Sequence, residues 1–99
     1  MYYILRGHEP ILCESIEEWG KWFENSDKRR VAEEKHGDIR VSTVFLGLNH
    51  RYGNGPPLLF ETLIFGGAHN EEMWRYTTWD EAVAGHQHAC GIAFAEVER

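Results

Sequence analysis

Five side chains near the middle of the chain carry the chemistry best suited to gripping a ligand or moving a proton. Asn49, His50, Arg51 and Tyr52 are consecutive, and Glu61 follows downstream. The first four supply a neutral amide, an imidazole, a fixed cation and an amphipathic ring. Arginine makes forked contacts to anions, while tyrosine and histidine stack on flat groups. Gly53 and Gly55 allow close backbone approach to a ligand. The plainer alternative is a loop tip whose polar residues only face water. Glu61 lies among Leu59, Leu63 and Phe65 in a β-prone run, where a carboxylate is costly unless paired or hydrogen-bonded. It is either one half of a structural pair or a ligand-binding or acid–base group.

Other chemistries are poorly supported. His86 and Cys90 are four apart, a workable helical spacing for two metal ligands, but a closed zinc site needs two more. His86 and His88 fall on different sides of a helix and cannot chelate together. Cys90 reads as a small core residue. NHRYGNGPP has neither the spacing of a phosphate-binding loop nor a helix after it. No nucleophile elbow or paired acidic motif is present, and neither Cys13 nor Cys90 has a catalytic signature. No metal or cofactor is therefore expected, and these motifs assign no catalytic residue.

The loop at 47–57 must be positioned by the two apolar runs beside it, residues 39–48 and 58–66, rich in Val, Ile, Leu, Phe and Thr. Residues 1–6 and 10–13 read as an N-terminal hairpin. Residues 29–36 read as a charged edge strand turning at Gly37–Asp38, and 73–77 as a short strand. Ser15-Ile16-Glu17-Glu18 and Thr78-Trp79-Asp80-Glu81 are capping boxes. They predict helices over about 15–25, with Ile16, Trp19 and Phe23 inward and Trp22 as a further candidate, and over about 78–97. The second has an inward stripe of Ala82, His86, Ala89, Cys90, Ala93 and Val97. Gly85 and Gly91 weaken that helix by about 1 kcal/mol each relative to Ala. The order β-β-α-β-β-β-β-α predicts a single α+β domain over 1–99, an antiparallel sheet of about five to six strands packed by two helices. Both faces of the central strands are apolar, so both need covering: by two helices, or by one helix and a second copy in a homodimer.

A net charge of −6 argues against direct nucleic-acid binding, which needs a basic footprint, and permits contact with a basic protein surface. The basic run Lys28–Arg30 reads as a solvated edge. Apolar runs fall far short of the roughly 20 residues of a membrane span. The start MYYILRGHEPI lacks signal-peptide character, and two cysteines are too few for a disulfide framework. A reduced cytoplasmic protein with no membrane contact is expected.

VSTVFLGLNHRYGNGPPLLFETLIFGG followed by RYTTWDEAVAGH, with EEWGKWFEN before it, resembles a group of small proteins of unknown function carried by tailed phages and prophages. The likeness spans residues 17–86. Such proteins more often have Asp where this chain has Asn49. The resemblance implies a virus acting inside a bacterial cytoplasm. Together with small size and acidity it implies an accessory protein that works by stoichiometric binding. It would be a counter-defence inhibitor or sequestering protein directed at a host protein or a small nucleotide-like ligand. The alternative is a small metal-assisted or acid–base hydrolase using Glu61 and His50, with His86 as a further candidate.

Overall fold

The computed structural model describes residues 1–95, Ser26 by its backbone alone. Two antiparallel sheets form: a hairpin of β1 (Tyr2–Arg6) and β2 (Glu9–Cys13), and a four-stranded meander. The meander runs β3 (Arg30–His36), β4 (Ile39–Phe45), β5 (Phe60–Phe65) and β6 (Met73–Tyr76) in chain order. Helix α1 (Ile16–Phe23) links hairpin to meander through a 3-10 turn at Ser26–Arg29, and α2 (Trp79–Ala93) closes the fold. The α+β class and the element order match the sequence expectation. The strands divide into two sheets instead of one, with an isolated bridge between Tyr2 and Leu48 linking them. Gly47 has φ +76, and this kink ends β4 before residue 48.

Both helices start where the caps predict. Ser15 Oγ accepts the Glu18 N–H, and Thr78 and Glu81 form a complete reciprocal box. Helix α2 ends at Ala93 with a Phe94 cap, short of the expected 97; residues 96–99, including Val97, lie outside the described residues.

The meander separates its faces by strict alternation. Ile39, Val41, Thr43 and Phe45 of β4 face the same side as Phe60, Thr62 and Ile64 of β5, and all seven are buried. Helix α2 lies on this inner face with Ala82, His86, Ala89 and Ala93 inward. Three small residues in that stripe let the helix approach the sheet closely. Gly85 belongs to the same fit: a Cβ there would overlap the Tyr76 ring.

Helix α1 differs from expectation. It packs against the hairpin, with Trp19 stacked on Phe23 and Trp22 edge-on to Phe45, and leaves Ile16 58% exposed. Trp19, Trp22 and Phe23 of the expected stripe are half-buried, and Ile16 alone of it faces solvent. Among the described residues neither helix covers the outer face of the meander. Val44 and Leu63 are half-buried there, and Phe65 and Met73 are exposed. Of the two ways to cover both faces, the two-helix one is not realised among the described residues, because α1 is spent on the hairpin.

Candidate functional site

The loop between β4 and β5 is knit together from within. Leu46 N–H donates to Leu59 O at 2.7 Å and His50 N–H to Leu58 O at 3.0 Å, closing its base. Asn49 Oδ1 accepts from Arg51 N–H at 2.8 Å and Leu58 N–H at 3.0 Å. Arg51 Nε donates to the Pro56 carbonyl. Gly47 O accepts from Tyr3 N–H at 2.8 Å and from the Trp19 indole at 3.2 Å, tying the loop to the hairpin and α1. Two of the predicted ligand-gripping residues, Asn49 and Arg51, thus hold the loop itself. The other two, His50 and Tyr52, point to solvent, and Tyr52 is fully exposed.

Glu61 is elsewhere. It lies on the outer face opposite Arg75, whose Nε donates to its carboxylate at 3.0 Å. On the same face Arg40 pairs with Glu33 at 2.9 Å and lies 4.1 Å over the Phe65 ring. These pairs are partly solvated, so each contributes at most about 1 kcal/mol. Glu61 on the outer face, His50 on the loop and His86 on the inner face do not form one site. A groove of about 460 Å³ between the hairpin turn and the start of α2 is lined by residues including Arg6, His8, Trp79 and Asp80, and by none of the five predicted residues. In the Lys28–Arg30 run, the Arg29 guanidinium lies over the Phe23 ring at 4.1 Å.

The densest polar chemistry is buried between α2 and the sheet. Tyr76 Oη donates to Thr62 Oγ1 at 3.1 Å, and the Thr62 and Thr43 hydroxyls are 2.5 Å apart. Thr43 Oγ1 is 2.7 Å from His86 Nδ1, and His86 Nε2 is 3.2 Å from Glu34 Oε1. His86 is 2% exposed and both threonines are fully buried. The ladder leaves none of these side chains unpartnered, which a polar group at such depth requires. Glu34 reaches it from β3, where it faces Val41 on the inner side. Cys90, one turn beyond His86, completes a group in which the Glu34, His86 and Cys90 donor atoms all lie within 4.8 Å of one another. Burial, then the Glu34 charge and its hydrogen bond, push the Cys90 thiol up to about 12. Burial also raises Tyr76, with the Thr62 bond working the other way.

The sequence reading paired His86 with Cys90 and lacked Glu34, Thr43, Thr62 and Tyr76. A signal was present: Thr43 and Thr62 fall on the inward alternation and His86 in the small-residue stripe of α2. Three polar residues at core positions must find partners. Comparison with known protein families, curated proteins and solved structures finds no match to this chain.

Proposed function

We propose that this chain is a small accessory protein of the tailed-phage kind that acts by stoichiometric binding. It blocks or sequesters a component of a bacterial host in the cytoplasm, in the manner of a counter-defence inhibitor. One observation carries this reading: the loop at 47–57 is braced by its own hydrogen bonds while presenting a fully exposed Tyr52 beside an exposed His50. An aromatic side chain held out on an ordered loop loses little further entropy on binding, and tyrosine is a frequent hot spot. The net charge of −6 favours a partner with a basic surface, and the two rings suit a flat nucleotide-like ligand. The open outer face, with Leu63, Phe65 and Met73, supports self-association as part of the same reading. No observation favours a hydrolase built on Glu61 and His50, which lie apart.

The test is capture of tagged wild-type protein and an H50A/Y52A variant from a bacterial lysate, with mass spectrometry of what is retained. Calorimetry against nucleotides runs beside it. The reading expects one component, or one nucleotide class, bound near stoichiometrically by wild type and lost by the folded variant. Equal recovery by both proteins overturns the role of the loop. Turnover of a small substrate with no partner retained overturns binding as the function.

A further inference from the structure

We infer that Glu34, His86 and Cys90 form a binding site for one divalent transition-metal ion, zinc by ligand class, at the seam between β3 and α2. The three donors are a carboxylate, an imidazole and a thiol, the set that a borderline-soft ion such as zinc accepts. His86 and Cys90 share one face of α2 at a spacing of four, and Glu34 arrives from the facing edge strand.

Zinc bonds of about 2.0–2.3 Å place tetrahedral ligand atoms about 3.5 Å apart. The donors already lie within 4.8 Å of one another, with His86 Nε2 and Glu34 Oε1 at 3.2 Å. The remaining closure falls to the two adaptable members. The Glu34 side chain is half-exposed, and Cys90 is only partly buried.

The oxygen that partners the far ring nitrogen of His86 suits a metal-binding histidine. A ligating histidine usually donates its other ring N–H to an oxygen, which fixes its orientation. Here that oxygen is Thr43 Oγ1, 2.7 Å from Nδ1 and itself held by Thr62. The hydroxyl ladder accommodates either tautomer. Without metal, protons can run Tyr76 to Thr62 to Thr43 to Nδ1, leaving Nε2–H for Glu34. With metal on Nε2, each threonine hydroxyl turns the other way: Nδ1–H donates to Thr43, Thr43 to Thr62 and Thr62 to Tyr76 Oη, on a part-buried side chain. The ladder keeps all its protons in either state. The one proton displaced comes from the Cys90 thiol as sulfur binds the ion, and it leaves to solvent. Three protein ligands fill three positions of a tetrahedron. The fourth opens on the side of the half-exposed Glu34 and takes a water molecule.

The test is titration of the full chain, purified with a chelator, with Co²⁺ as a spectroscopic probe and with Zn²⁺ against a chromophoric chelator. Wild type is expected to bind one ion, with a thiolate-to-cobalt charge-transfer band and release of a proton on Zn²⁺ binding. C90S is expected to lose that band, and C90S and E34Q each to weaken Zn²⁺ by a large factor. T43V, which removes the oxygen that partners His86 Nδ1, is expected to weaken it by roughly 10- to 100-fold. H69A, which breaks the exposed His69–Glu72 pair, is expected to leave the site unchanged. C90S and E34Q alter half-exposed or exposed positions, so they decide the matter even where a His86 variant fails to fold. Absence of saturable one-to-one binding, or a band and affinity that survive in C90S, overturns the inference.

Discussion

Gly85→Ala should destabilise this protein, although alanine is the better helix former. In an unconstrained helix the change would stabilise by about 1 kcal/mol. Here the added Cβ would come closer than 3.0 Å to three atoms of Tyr76: Oη, Cζ and Cε1. The ring cannot simply swing away, because it packs against the Phe60 core cluster and its hydroxyl is bonded to Thr62. Overpacking of this kind costs roughly 1–3 kcal/mol and sometimes more. Subtracting the helix gain leaves a net loss of up to about 2 kcal/mol. For a domain of this size that lowers Tm by up to about 16 °C. The decisive assay is a double-mutant cycle read by urea unfolding with tryptophan fluorescence. Tyr76→Ala removes the obstacle, so in that background Gly85→Ala should stabilise by up to about 1 kcal/mol. The sign of one substitution thus depends on a residue in another element. If Gly85→Ala stabilises the wild-type background, the close packing of α2 on β6 is wrong. The same holds if its effect is unchanged by Tyr76→Ala.

Further outcomes follow from the same geometry. Asn49→Ala removes the acceptor for two backbone N–H groups and should cost about 1 kcal/mol in urea unfolding, whereas Asn49→Asp keeps the acceptor and should stay near wild type. Tyr52→Ala should leave Tm unchanged yet weaken partner binding by more than about 1 kcal/mol if Tyr52 is a hot spot, measured by calorimetry with the captured partner. Tyr76 holds its proton more tightly folded than unfolded, so above about pH 10 the unfolded chain binds fewer protons and stability falls as pH rises. Tyr76→Phe lacks that ionisation, and its stability, followed by denaturant midpoint against pH, should fall less steeply across the same range. Leu63→Lys places a charge on the open outer face, and sedimentation velocity should show any wild-type dimer returned to monomer by it.

The elements themselves were legible in the sequence because their signals are local. A capping box needs four consecutive residues, and both boxes start helices where they stand. Alternation along residues 39–45 and 60–65 likewise assigns which side chains share a face without knowledge of any neighbour. Tertiary structure alone decided what those faces meet. The hairpin claimed α1, which left Ile16 exposed and the outer sheet face open. Cross-strand register put Glu61 against Arg75, and loop closure turned Asn49 and Arg51 inward to their own backbone. The Thr43–His86 and His86–Glu34 contacts join residues 43 and 52 positions apart. No spacing rule reaches that far. They exist because α2 lies across the sheet at one angle and register, and that placement is set by the combined packing of small residues, not by any motif.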